Sequence, residues 1–180
     1  GLILPEKVNW KELLYRYIQR MIPNDYTWLR PSKRTVSTGF YMPGVKKEFF
    51  ECVIALDTSG SIGDDDYKEF LSEIYYISQS FAAIKFTLVS ADAAVQHTFE
   101  SISTDEIMKE LRKRKGYGGT DFRPAFTWTE ENKPRTRVFI YFTDGYGTYP
   151  EKYFGDWVTI WVLNNKEIEN PKFGYVVRMK

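Results

Sequence analysis

The sequence predicts an α/β protein: a doubly wound, mostly parallel sheet with helices on both faces, one short antiparallel edge strand, and an N-terminal helix and wrap. Three observations predict it. Short apolar runs alternate with segments of helical period along most of the chain. Two of those runs, Val53 to Leu56 and Val138 to Phe142, are apolar enough to read as buried strands. Both lead into an acid, Asp57 and Asp144. Strands that alternate with helices imply right-handed crossovers and parallel pairing. In such sheets a ligand lies beyond the carboxyl ends of the strands.

Taken in order, Asn9 to Ile22 is a helix, capped by Asn9, with Trp10, Leu13, Leu14, Tyr17, Ile18 and Met21 at helical spacing. Pro23-Asn24-Asp25 ends it. Tyr26 to Val45 is irregular but rich in Tyr, Trp and Phe, so it reads as an ordered wrap rather than a linker. Residues 1–47 therefore form an extension packed on a domain of residues 48–180. Glu51 to Leu56 is the first strand and Asp64 to Phe81 a helix with an apolar face of Tyr67, Phe70, Leu71, Ile74, Ile77 and Phe81. Lys85 to Ser90 is a second strand, and Ala94 to Phe99 a short edge strand. Ser103-Thr104-Asp105-Glu106 has capping-box spacing and opens a helix to about Arg114. A glycine-rich turn leads to Thr120, and a helix over Arg123 to Glu130 accepts Pro124 in its first turn. Val138 to Phe142, Trp157 to Leu163 and Phe173 to Arg178 are the remaining strands.

Composition bounds the function. At 180 residues the chain suits one domain with a full core. A formal net charge of +1 gives no global field for nucleic acid or an acidic membrane. No run approaches the roughly 20 apolar residues of a membrane span. A single cysteine, Cys52, excludes an internal disulfide and a Cys-based zinc cluster, and fits a reducing, cytoplasmic setting. The aromatic content of 17% is high enough that part of it is expected to cover a surface or interface. The chain opens on Gly1 without an initiator Met and looks like a piece of something longer.

Three loops carry the chemistry. The first holds Asp57, Ser59 and Ser61; the second Thr120, after Gly118-Gly119; the third Asp144, in Thr143-Asp144-Gly145. Mg²⁺ takes about six oxygens in octahedral geometry and keeps several waters. Two serines one residue apart can face one ion, Thr120 can add a third hydroxyl, and the two aspartates bring charge directly or through water. Few formal charges would touch the ion, leaving it receptive to a carboxylate from another molecule. Gly60, Gly118, Gly119 and Gly145 are expected to let the backbone approach closely. The five polar residues could also be loop and helix caps.

Asp57-x-Ser59-x-Ser61, the lone Thr120 in Gly-Gly-Thr-Asp, and Asp144 in Thr-Asp-Gly resemble, in order and spacing, the von Willebrand factor type A (VWA) domain with a complete metal-ion-dependent adhesion site. The resemblance covers about Glu48 to the C-terminus. It implies a Rossmann-like VWA fold, Mg²⁺ at the five residues with Mn²⁺ or Ca²⁺ as alternatives, and a protein partner that offers an Asp or Glu to the metal. It implies a binding module rather than an enzyme. Asn9-Trp10-Lys11-Glu12-Leu13-Leu14, Tyr26-x-Trp28-x-Arg30-Pro31, Tyr41-x-Pro43-Gly44 and Pro171-x-Phe173-Gly174 resemble more narrowly a group of prokaryotic and viral VWA-like proteins. Those often carry a metallopeptidase-like N-terminal domain, and related intracellular members work with AAA+ ATPases of the MoxR type. No zinc helix lies in this chain, whose one histidine is His97.

The alternative is a Mg²⁺-dependent phosphotransfer enzyme of the phosphatase kind, which also places an Asp after the first strand. Ser59 stands where the haloacid dehalogenase family has its proton-donating acid. Asp64-Asp65-Asp66 reads as an acidic helix start or a second cation site. Asp121 is either a helper of the metal site or a loop cap. The basic stretch Lys109 to Lys115 reads as a solvated helix face or a patch that steers an acidic partner. His97 reads as an ordinary edge-strand histidine. Tyr146, Tyr149, Tyr153 and Phe154 form either an aromatic rim or loop packing.

Overall fold

A computed structural model describes residues 10–21, 50–81, 84–100, 105, 109, 118–151, 155–165 and 167–179. Its elements in chain order are α1 (Trp10–Met21), β1 (Phe50–Asp57), α2 (Asp64–Ser80), β2 (Ile84–Ala91), β3 (Val95–Glu100), α3 (Arg123–Asn132), β4 (Val138–Thr143), β5 (Val158–Leu163) and β6 (Tyr175–Arg178). Asn9, the wrap over Tyr26 to Val45 and, apart from Asp105 and Lys109, the helix expected from Ser103 lie outside the described residues.

The strands form one six-stranded sheet in the order β3-β2-β1-β4-β5-β6. Every pairing is parallel except β2 with β3, which runs antiparallel at the edge with a register shift at Ser90/Ala91. The doubly wound α/β fold is therefore the one the sequence predicts. Strand ends differ by one to two residues. β1 runs on through Asp57 because its pairing with β2 continues to Asp57↔Ala91. β6 starts at Tyr175 rather than Phe173.

Alternation along each strand divides the core into two layers. Cys52, Ile54 and Leu56 of β1, with Ile140 and Phe142 of β4, face α1 and α2. Val53 and Ala55, with Phe139 and Tyr141, face α3. Helices thus lie on both faces of the sheet. Leu14 and Ile18 of α1 are fully buried in the first layer. Each such burial is worth about 1.5–3 kcal/mol, which is what fixes this amphipathic helix against the domain.

The second layer takes up much of the aromatic content. Among the described residues only Tyr75, Tyr76, Tyr146 and Tyr175 are exposed aromatics, the surface part that was expected. Phe122, Phe126, Phe139, Tyr141, Trp157 and Trp161 form the core under α3. Phe126 stacks on Phe139 at 4.5 Å between centroids and Tyr141 on Trp161 at 5.3 Å. Ring pairs in this range add to simple area burial. The Trp161 indole N–H donates to the Phe173 carbonyl at 3.1 Å, so its polar end is satisfied.

Candidate metal centre at the carboxyl edge of the sheet

β2, β1 and β4 are adjacent and parallel, so their carboxyl ends share one edge. Asp57 closes β1, and Asp144 directly follows β4. The register that pairs Leu56 with Phe142 sets Asp57 beside Thr143. The Thr143 hydroxyl donates to Asp57 Oδ2 at 2.6 Å, and the Ser59 backbone N–H donates to Oδ1 at 2.8 Å. Asp57 is fully buried, with both oxygens engaged.

The loop after β1 turns tightly, with the Ile62 N–H donating to the Ser59 carbonyl at 3.2 Å. The turn brings the Ser59 and Ser61 hydroxyls to 3.0 Å, one buried and one exposed. The Gly60 N–H donates to the Gly118 carbonyl at 3.4 Å, which joins this loop to the one bearing Thr120. The third loop joins in turn. The Phe122 N–H donates to the Thr148 carbonyl at 2.9 Å, and the Thr148 N–H to the Thr120 carbonyl at 3.4 Å. Asp144 is 6% exposed and accepts from the Tyr146 N–H at 3.1 Å. The three expected loops are thus cross-linked to one another at one edge. Thr120 is half-buried there.

Electrostatics set the character of the edge. Burial, more than anything else, raises the Asp57 carboxyl above the usual carboxylate range. Hydrogen bonds from Thr143 and Ser59 oppose that rise, and the nearby charge of Asp144 adds to it. Among the described residues no Lys, Arg or His forms an ion pair with Asp57 or Asp144. Nor do three or more His, Cys, Asp and Glu side chains come together there as a metal-holding group. Any cation at this edge therefore depends on hydroxyl oxygens as well as the two acids. An all-oxygen donor set of that kind suits a hard divalent ion.

Of the glycines singled out from the sequence, Gly145 and Gly118 are positions that favour glycine. Gly145 has φ +86°, a left-handed conformation that side chains rarely adopt. A Cβ on Gly118 would lie 2.8 Å from Asp92 Oδ2. Gly119 differs from expectation, since a Cβ there would meet nothing within 4 Å.

Several other singled-out residues have defined places in the fold. Asp121 is a loop cap: its Oδ1 accepts the Arg123 N–H at 3.0 Å, and its carboxylate pairs with the Arg123 guanidinium at 2.8 Å. Asp64, Asp65 and Asp66 occupy the first turn of α2, where the helix dipole favours them. His97 sits on edge strand β3 and stacks on Phe99. Cys52 is buried. Tyr149 packs on Phe122 and Trp161 and donates its hydroxyl to the Gly145 carbonyl at 2.8 Å, while Tyr146 is exposed. Tyr153, Phe154 and the basic stretch beyond Lys109 lie outside the described residues.

Sequence reasoning missed three residues. Thr143 is the direct partner of Asp57. Asp92, the first residue after β2, accepts from the Ala94 and Gly118 N–H groups and the Gln96 side chain at 2.9–3.1 Å. Burial works to raise its carboxyl, but those hydrogen bonds outweigh it and hold it below the usual range. The signal was present: β2 also runs into an acid. Glu73, 1% exposed on the core face of α2, has no hydrogen-bond partner among the described residues and lies 3.8 Å from the Lys11 ammonium. Its place three residues after Phe70 and four before Ile77 marked it as inward-facing.

A parallel sheet of this order, with helices on both faces and acidic loops at its carboxyl edge, defines a domain of the VWA-like class. The chain belongs to the family described as VWA-like domain (DUF2201), whose model matches residues 52–180. An uncharacterized protein of Thermotoga maritima is 33% identical over 147 residues. That match takes in 80% of this chain but 35% of the relative, so the chain spans about a third of the relative's length. Solved structures agree on the fold. An aerotolerance-related membrane protein from Bacteroides fragilis NCTC 9343 superposes with a TM-score of 0.52 at 14% identity, covering 63% of this chain and 67% of that one. The conserved hypothetical protein BatB from Bacteroides thetaiotaomicron gives 0.50 at 17% identity over 63% and 66%. The type V pili tip protein Mfa5 from Porphyromonas gingivalis gives 0.50 at 16% identity over 57% and 21%. Among the described residues no helix is long and apolar enough to cross a membrane.

Proposed function

We propose that this domain is a metal-dependent protein-binding module. Asp57, Ser59, Ser61, Thr120 and Asp144 would hold a divalent cation, Mg²⁺ first and Mn²⁺ or Ca²⁺ as alternatives. The observation that carries the reading is the cross-linking of three loops around two buried aspartates that have no cationic partner among the described residues. A bound ion would supply the missing positive charge and an open position for an Asp or Glu of a protein partner. The chain's own residues do the rest. Ser59 and Ser61 face each other across a turn, Thr143 and the Ser59 amide orient Asp57, and Gly145 turns the third loop back over the edge.

Membership in a family of VWA-like domains, generally interaction modules rather than enzymes, supports the same reading. The phosphotransfer alternative is disfavoured by Asp57 itself. It is fully buried with both oxygens hydrogen-bonded inside its own loops, unlike an exposed nucleophile. The partner belongs to the proposal too: a larger protein around this domain, or an AAA+ ATPase of the MoxR type, within the cytoplasm. The test is titration calorimetry with Mg²⁺ and Mn²⁺. Wild-type protein is expected to bind and Asp57→Ala to lose binding; equal behaviour of the two overturns the metal assignment.

A further inference from the structure

Thr120 sits in a glycine-rich segment whose cross-links to the neighbouring loops, Gly60 N–H to the Gly118 carbonyl and Thr148 N–H to the Thr120 carbonyl, are both long at 3.4 Å. Gly118 and Gly119 precede it, and Gly119 has open space on its side-chain side. Paired glycines lose more backbone entropy on ordering than other residues do. Both ends of the segment converge on one residue. The Gly118 N–H donates to Asp92 Oδ2 at 3.1 Å, and the Asp121 N–H donates to the Asp92 backbone carbonyl at 3.1 Å. Asp92 is itself rigidly placed. It is 5% exposed, its Oδ1 accepts from the Ala94 N–H and the Gln96 amide, and its own N–H donates to the Ala94 carbonyl.

We propose that Asp92 is a positioning residue, whose carboxylate and carbonyl clamp the two ends of the Gly118–Asp121 segment and so set Thr120 at the candidate metal centre. The role of Thr120 at a metal rests on the reading above; the clamp does not. Three N–H donors converge on the carboxylate, so it must be an acceptor at both oxygens. Protein donors fill three of the roughly four acceptor sites of the carboxylate, which makes it first a holder of the loop. Asparagine would turn an NH₂ group towards one of the three donors. Gly118 is the matching half of the device, because only a residue without Cβ fits 2.8 Å from Asp92 Oδ2.

Two measurements on the full 180-residue chain test the clamp. The first is amide hydrogen exchange of Gly118 by NMR in metal-free protein. Asp92→Asn is expected to speed it at least tenfold while Ile54 and Ile140 in the core keep their protection; an unchanged Gly118 amide overturns the proposal. The second is a double-mutant cycle read by Mn²⁺ affinity. Asp92→Asn is expected to weaken binding about tenfold, as loss of an outer-shell partner does. In a Thr120→Ala background the same change should cost less than about twofold, because it acts through Thr120. Fully additive losses overturn the proposal. Gly118→Ala, which pushes the same contact apart from the other side, should reproduce the affinity loss if Asp92→Asn does not fold. If wild-type protein binds no Mn²⁺, the metal reading falls and the exchange result still decides the clamp.

Discussion

Thr143→Val and Thr159→Val make the same chemical change at two fully buried strand positions, and opposite outcomes are expected. The Thr143 hydroxyl donates to Asp57 Oδ2 at 2.6 Å and accepts from the Gly145 N–H at 3.1 Å. Valine keeps the volume and the β-branch, so no cavity opens and strand preference is unchanged. What is lost is a hydrogen bond to an acidic group, worth about 1.5–3 kcal/mol, and a partner for the buried Gly145 N–H, whose stranding costs about 1–3 kcal/mol. A destabilisation of about 3 kcal/mol follows, or roughly 6–12 °C in Tm for a chain of this size. The Thr159 hydroxyl has no hydrogen-bond partner. Removing it relieves a desolvated polar group, so Thr159→Val should lie between neutral and about 1 kcal/mol more stable. Urea unfolding in EDTA, with thermal melting alongside, reads both without interference from metal. Equal effects at the two sites, or a neutral Thr143→Val, would refute the account of how Asp57 is held.

Other expectations follow from the same structure. Burial raises the Glu73 carboxyl, with Lys11 opposing and Glu69 adding to the rise. A carboxyl raised in the folded state binds protons more tightly there than in the unfolded chain, so stability falls as pH climbs from the ordinary glutamate value of 4.5 through the folded one. Glu73→Gln should remove that loss, and its melting advantage over wild type should widen between pH 4 and 7; a constant or shrinking difference refutes the assignment. Burial also pushes the Cys52 thiol far above the ordinary value. Native protein should therefore ignore an aromatic disulfide reagent and react only at the rate of unfolding, and fast labelling without denaturant would contradict the buried position.

The sheet was legible because buried parallel strands announce themselves as uninterrupted apolar runs. The meeting of the candidate loops at one edge was legible because unusual residue types stand where those runs stop. Position along the chain could not show where a strand's pairing ends, so Asp57 reads as a loop residue in sequence and is a strand residue in space. Thr143 was hidden for a related reason: its importance lies in a register between β1 and β4 that no local pattern encodes. Asp92 shared the strand-then-acid signature of Asp57 and Asp144, but no motif around it drew notice. Glu73 was passed over because helical periodicity was counted in apolar residues alone, and an acid at an inward position does not enter that count. The aromatic residues were legible only in number, since composition does not record which face of the sheet receives the buried ones and which tyrosines stay exposed.

The contact between Thr143 and Asp57 spans 86 residues of chain. A protein made from its N-terminus therefore exposes Asp57 well before its partner exists. At about 5–20 residues per second, synthesis of the intervening stretch takes roughly 4–17 s. Pairing of β1 with β2 needs far less chain and can form first, while the acid at the end of β1 waits for β4. This edge is thus completed only after β2 and β3 are in hand, though before β5 and β6. An incomplete chain that ends before Thr143 has the residues of the β1–β2 pair yet lacks the hydroxyl that orients Asp57, so the hydrogen bonding of this acid is itself a record of how much of the chain has been made.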